Sequence, residues 1–212
     1  MKRVLYLRHG RTEWNASGRF QGQADIPLDD VGKLEAQRAA TLLAVLEPEI
    51  ILSSDLSRAR ETASYLATAV GLTPGVDARL RETFAGSWEG SSFAEIDLAF
   101  PEESAQWKSG AVDVRPGGGE TPTEVGERMV EVVLAAVEDL SNDGLLVVVT
   151  HGGAARSGLA KILGLAPESW GILSGLANCH WSVIEERSEL AGWRLTEHNA
   201  GSLPERPVQQ EG

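Results

Sequence analysis

The chain has 212 residues, enough for one domain with a sizeable core, and at 42% hydrophobic and 24% charged it has the composition of a soluble globular protein. A formal net charge of −12 argues against a general affinity for nucleic acid or acidic membranes, which needs a basic face, but leaves room for a small positive pocket. The lone cysteine, Cys179, rules out an internal disulfide and fits a cytoplasmic, reducing setting, and Arg8 breaks the apolar run of Val4, Leu5 and Leu7, so neither a signal peptide nor a membrane span is expected.

Residues 3–8 read as a short strand opening the domain. A helix is expected over about 30–46, with Val31, Leu34, Leu42 and Leu46 as its apolar positions, and a strand over 49–53 follows. The next helix, about 57–70, carries Ala59, Ala63, Leu66 and Val70. Residues 84–119 are rich in Gly, Pro and Trp and read as an insertion over the active site, with one short helix near 92–99; Trp88 and Trp107 are its candidate substrate contacts. Gly117-Gly118-Gly119 lacks the Lys-Ser/Thr of a P-loop and reads as a flexible lead-in to the next helix. That helix, about 122–140, is marked by Val125, Met129, Val132, Val133, Ala136, Val137 and Leu140, by capping-box spacing between Thr121 and Glu124, and by Pro122 at its first position. A strand over 145–150 and a helix over about 153–163, ending before Gly164, come next. Late strands at 181–186 and 192–197 are expected to be antiparallel or at an edge. The polar tail from Gly201 to Gly212, with Pro204 and Pro207, reads as disordered.

The near-continuous apolar strands suit parallel pairing with both faces covered, and strands alternating with helices give an α/β protein. The expected architecture is a three-layer α/β/α sandwich on a mostly parallel sheet, as one domain over residues 1–200 with a tail over 201–212.

Three segments put reactive side chains just after apolar strands: Arg8-His9-Gly10, Ser53-Ser54-Asp55-Leu56-Ser57-Arg58 and Thr150-His151-Gly152-Gly153. Ligands of open α/β sheets bind beyond the carboxyl ends of the strands, so these segments can share one pocket. Its natural target is a phosphate: the planar fork of arginine binds phosphate oxygens in pairs, and imidazole is a nucleophile near neutral pH. His180 reads as structural, packed beside that pocket, and His198 as solvated. Neither has metal-ligand spacing, so no metal and no cofactor is expected. Cys179 reads as a small buried residue.

These motifs occur in an ordered series: Leu7-Arg8-His9-Gly10-Arg11-Thr12-Glu13-Trp14-Asn15, Gln21-Gly22, Ser53 to Ala59, Leu80-Arg81-Glu82, Gly86-Ser87-Trp88-Glu89-Gly90, Gly118-Gly119-Glu120 and Val149 to Gly153. The series resembles the histidine phosphatase superfamily, in its phosphoglycerate-mutase-like branch, over roughly residues 3–197. The resemblance implies a metal-independent phosphomonoesterase. His9 would become phosphohistidine, and Arg8, Arg58 and His151 would hold the phosphoryl oxygens. Asn15 would add a side-chain donor and Gly152 a backbone N–H, with Thr12, Gln21 and Gly22 lining the entrance. Glu82 would protonate the leaving alcohol and then activate water. His9 should be neutral, with its tautomer fixed by a hydrogen bond, and His151 protonated beside the phosphate.

A cofactor-dependent mutase is the alternative, but residues 83–119 supply only Lys108 and Arg115 against Glu89, Glu95, Asp97, Glu102, Glu103 and Asp113, a poor grip on a doubly charged bisphosphoglycerate. An inactive binding protein of the same fold would have lost some of His9, Arg8, Arg58, Glu82 and His151, and all five are present. The expected partner is a small phosphate ester. The segments Arg79 to Thr83, Gly86 to Gly90, Gln21 to Asp25 and Gly175 to Trp181 resemble the actinobacterial glucosyl-3-phosphoglycerate phosphatases; fructose-2,6-bisphosphate, ribazole phosphate and broad specificity are the other readings. Relatives dimerise, and the apolar and aromatic segment 170–185 is the candidate dimer edge.

Overall fold

Two of the apolar strands of the chain lie side by side at its centre. In the computed structural model, which describes residues 1–187 and 192–201, β1 (Arg3–Arg8) pairs in parallel with β4 (Leu145–Thr150), Arg8 opposite Thr150. Every residue of β4 is buried, which is why its run does not alternate: a strand covered on both faces needs apolar side chains in both directions. β2 (Ile50–Ser53) pairs in parallel with the other side of β4, and β3 (Gly75–Val76) extends the sheet beyond it. β5 (Trp181–Arg187) runs antiparallel to β1, and β6 (Gly192–Ala200) closes the order β3-β2-β4-β1-β5-β6.

The strand residues sort onto two faces by parity. Val4, Tyr6, Leu146 and Val148 share a core with α6 (Pro122–Glu138) and α7 (Gly152–Ile162) through Val125, Met129, Val133 and Leu159. Leu5, Leu7, Val147 and Val149 share the opposite one with α2 (Asp30–Ala44) and α3 (Ser57–Val70) through Ala36, Ala40, Leu43, Ala63 and Leu66. The layers are thus α/β/α, as expected. The start of α6 is fixed as its spacing implied: Thr121 Oγ1 accepts the Glu124 N–H at 3.2 Å, and the Glu124 carboxylate accepts the Thr121 N–H at 2.9 Å.

Several expectations need correction. In α2 the large apolar residues face out, with Val31, Leu34 and Leu42 at 41%, 53% and 46% exposed, and the buried side is Gly32, Ala36, Ala39, Ala40 and Leu43. Small residues let α2 approach its neighbours closely: a Cβ on Gly32 would overlap the backbone of Arg11. Residues 84–119 hold α4 (Phe93–Ala99), where a helix was expected, and also α5 (Pro101–Lys108), whose weak apolar patterning hid it. Gly117-Gly118-Gly119 is not a loose lead-in but a turn seated on the backbone of Phe84–Ala85, with the Gly117 N–H donated to Glu103. β6 runs on to Ala200, so His198 is not simply solvated; its ring nitrogens lie 3.0 and 3.2 Å from the hydroxyls of Ser182 and Ser174. β5 is paired on both sides, so its strand edges are engaged within the chain, while Ile172 of the segment 170–185 is 72% exposed. The expected tail, from residue 202 on, lies outside the described residues, among which no helix is long and apolar enough to cross a membrane.

Candidate active site

Strand register brings the three motif segments to one level. The His9 N–H donates to the Thr150 carbonyl at 3.0 Å and the Ser54 N–H to the Val149 carbonyl at 2.9 Å, so the chains leaving β1, β2 and β4 diverge from a common edge. His9 is 2% exposed, and its Nδ1 lies 2.7 Å from the Gly10 carbonyl. A carbonyl only accepts, so Nδ1 carries the hydrogen and Nε2 keeps its lone pair. Burial, and then Arg58 and Arg8, hold His9 well below the usual imidazole range, in the neutral form a nucleophile needs.

Arg58, at the start of α3, is fully buried. It donates through Nη1 and Nη2 to the carbonyls of Ala24 (2.7 Å) and Gly22 (2.8 Å), and through Nε to His151 Nδ1 (3.3 Å). His151 passes the contact on: its Nε2 is 2.9 Å from Ser54 Oγ, and its ring centre is 5.1 Å from that of His9. Burial and then Arg58 hold His151 well below its usual range too, which favours its neutral form. Arg8 donates through Nη1 to the Leu176 carbonyl at 2.7 Å, while its buried Nε has no partner among the described residues. Desolvation lowers both guanidiniums, Arg58 to about 10.

Glu82 faces this group from across the pocket. One carboxylate oxygen accepts the Gly153 N–H at 3.0 Å and the other the N–H groups of Ala154 (2.8 Å) and Thr83 (2.9 Å), so it sits on the N-terminus of α7 and is oriented before any ligand arrives. Its backbone is clamped as well. Arg128, on α6 and ion-paired to Glu120, donates to the carbonyls of Arg79, Arg81 and Glu82, and Gln23 Nε2 donates to the Glu82 carbonyl at 3.1 Å. Sequence reasoning missed Arg128, because the contact forms only when α6 packs beside residues 79–82.

Asn15 belongs to the four-residue helix α1 (Glu13–Ala16), too short to leave an apolar period. Its Oδ1 accepts from the N–H of Thr12 (3.1 Å) and Nδ2 of Asn178 (3.2 Å), which leaves its own Nδ2 as a donor at the pocket it lines. Thr12 caps α1 and lies fully buried 3.0 Å from Gln21 Oε1, so it supports the entrance rather than lining it. Gly22 has φ +51° and lies against Glu89, where a Cβ would overlap the carboxylate.

These residues open on a pocket of about 330 Å³. Arg8, His9, Asn15, Gln21, Gly22, Arg58 and Glu82 line it, together with Trp14, Phe20, Phe93 and Trp107. His151 and Gly152 sit just behind the lining, Gly152 against the Arg8 guanidinium and Gly153 in the wall. Trp107 thus stands where a substrate contact was expected. Trp88 does not: at 1% exposed it is the core of the insertion, with Ala85 and Ile96. His180 also departs from expectation, facing the Asn199 carbonyl and a separate cleft with Glu35 and Arg38. Cys179 lies buried beneath His9, donating its N–H to the His9 carbonyl at 3.3 Å, and burial pushes its thiol up to about 12. Among the described residues no group of His, Cys, Asp and Glu is arranged to hold a metal ion.

The chain belongs to the histidine phosphatase superfamily, branch 1, whose family profile matches residues 4–201. Among its relatives is the glucosyl-3-phosphoglycerate phosphatase of Mycolicibacterium vanbaalenii, 36% identical over 95% of this chain and 96% of that protein. A protein of Escherichia coli named probable phosphoglycerate mutase GpmB is 36% identical over 91% of this chain and 90% of its own. A solved mycobacterial glucosyl-3-phosphoglycerate phosphatase in complex with VO3 superposes with a TM-score of 0.87 at 34% identity, covering 95% of this chain and 100% of that one. The expected family, fold and phosphatase class are borne out together.

Proposed function

We propose that this enzyme hydrolyses a phosphate monoester through a phosphohistidine at His9, and that its substrate is a glucosyl-3-phosphoglycerate, on which relatives of both sequence and structure are named to act. The observation that carries the chemistry is the buried, unpartnered Nε of Arg8 beside the neutral, tautomer-fixed His9. A buried donor left unpaired is costly unless a ligand pairs it, and a phosphoryl oxygen does so.

In the first half-reaction His9 Nε2 attacks phosphorus, and the ester oxygen leaves with a proton from Glu82. In the second, Glu82 takes a proton from water, the hydroxide attacks phosphorus, and the bond to Nε2 breaks to release phosphate. Arg8, Arg58, Asn15 and the Gly152 N–H hold the non-bridging oxygens, where charge accumulates in the transition state. The dianionic ester favours the protonated form of His151, against the burial that disfavours it. Gln21 and Gly22 line the entrance, and no metal is required. We read the compartment as cytoplasmic.

Rapid-quench mass spectrometry should find one phosphate on His9, and His9→Ala should lower turnover by about a thousandfold or more. Phosphate release should be fastest from glucosyl-3-phosphoglycerate in a panel with 3-phosphoglycerate, fructose 2,6-bisphosphate and ribazole phosphate. A flat profile removes the substrate assignment, and interconversion of phosphoglycerates faster than phosphate release restores the mutase reading.

A further inference from the structure

In this acid-rich chain the arginines around the pocket mouth have carboxylate partners: Arg11 with Asp29, Arg19 with Glu95, Arg81 with Asp55 and Arg128 with Glu120. The two cations of the insertion are likewise engaged, Lys108 with Asp97 and Arg115 with Glu124. Three guanidiniums differ. Arg8, Arg58 and Arg156 are the arginines that burial pushes below the usual range, and none has a carboxylate within ion-pair distance among the described residues. Removing a guanidinium from water without an anion is unfavourable. At Arg8 and Arg58 the arriving phosphate resolves this.

Arg156 has the same signature just outside the residues that line the cavity, against Trp107, which lines it. It lies on α7, beyond the Gly153 and Ala154 N–H groups that hold Glu82, and its Cζ is 5.8 Å from the centre of the Trp107 ring. Trp107, Glu82 and Gly153 all wall the pocket. Arg156 makes no hydrogen bond to any described residue, and it is only partly buried, so its donors stay reachable. The Glu82 carboxylate acts on Arg156 from beyond ion-pair distance, and a cation held over an aromatic face with no ion-paired carboxylate is a preorganised anion receptor.

We propose that Arg156 binds a carboxylate on the alcohol half of the substrate, so that the pocket selects phosphorylated hydroxy acids over phosphate esters of neutral alcohols. The inference rests on the phosphatase reading above and adds to it the residue that recognises the non-reacting end. Trp107 positions the guanidinium. Arg8 and Arg58 keep the phosphate, so the two anionic groups are read at separate points and the ester has one orientation.

The matched pair 3-phosphoglycerate and glycerol 3-phosphate differs in a carboxylate against a hydroxymethyl group. In the wild type kcat/KM should favour the carboxylate, and Arg156→Met should collapse that ratio by about 10- to 100-fold, the range for one charge-assisted contact, through KM rather than kcat. Arg156→Lys should restore part of it. An unchanged ratio overturns the proposal, and so does an equal loss on both esters, which marks a purely structural role. Turnover of p-nitrophenyl phosphate by the wild type is measured alongside: its absence removes the phosphatase reading, whereas its presence with an unchanged ratio removes only the Arg156 assignment.

Discussion

The floor and the wall of the pocket are built in different ways. The floor hangs from strand ends: His9, Arg58 and His151 are at most 2% exposed, and each is tied to backbone or to another member of the group. The wall of Trp14, Phe20, Phe93 and Trp107 comes from α1, the loop after it and residues 84–119; Phe93 is 47% exposed, and the support behind the wall is the small cluster of Ala85, Trp88 and Ile96. The floor is therefore as rigid as the central sheet, while the wall rests on a satellite core. Residues positioned by sheet register and residues carried on the 84–119 segment can therefore change independently.

The largest way to break this contrast is at Glu82, which touches both regions. Glu82→Gln should lower kcat on an alkyl phosphate by about 10²- to 10⁴-fold, the span of general acid catalysis, and cost much less on p-nitrophenyl phosphate, whose phenolate leaves unprotonated. Equal losses on the two esters would reduce Glu82 to a positioning role. A smaller effect should come from the wall: Trp107→Leu should raise KM for a sugar-bearing ester by about 3- to 10-fold and leave kcat nearly alone, since aromatic contact area and the seat of the Arg156 guanidinium are lost while the groups around His9 are untouched. A kcat loss as large as the KM change would show that the wall governs the floor after all.

The smallest effect concerns pH. Burial first, and Arg58 next, hold His9 and His151 below the ordinary value of 6.5, so the unfolded chain binds protons that the folded floor refuses. The contribution is fully present above 6.5 and is lost as pH falls below it, at up to about 1.4 kcal/mol per pH unit for each histidine. Urea midpoints taken from pH about 7.5 to about 5.5 should fall accordingly, and less so in saturating phosphate, which favours a protonated His151. A midpoint that stays level without phosphate would mean that the imidazoles are not held neutral.

The same division explains what was legible in the sequence. β4 and α3 have the expected bounds because each is an uninterrupted pattern, an apolar run or a stripe of Ala59, Ala63 and Leu66. The floor residues follow those strands directly, so their convergence could be read off. The inward face of α2 could not, because hydrophobicity points to Leu34 and Leu42 while close approach selects Gly32, Ala36 and Ala40. Arg128, Ser54 and Asn178 were also hidden, since each acts through a partner distant in sequence: Glu82, His151 and Asn15 respectively. Arg156 had no signal of its own, because nothing local shows that a cation lacks a counter-ion.

Cys179 carries one more consequence. The only sulfhydryl of the chain is buried under the backbone of His9, beside the cleft of Glu35 and Arg38, and burial pushes it up to about 12, so little thiolate forms at physiological pH. Peroxide and alkylating agents react with thiolates. Under the phosphohistidine reading the reacting atom is a ring nitrogen, so the reaction does not depend on a thiolate as it does in hydrolases built on cysteine.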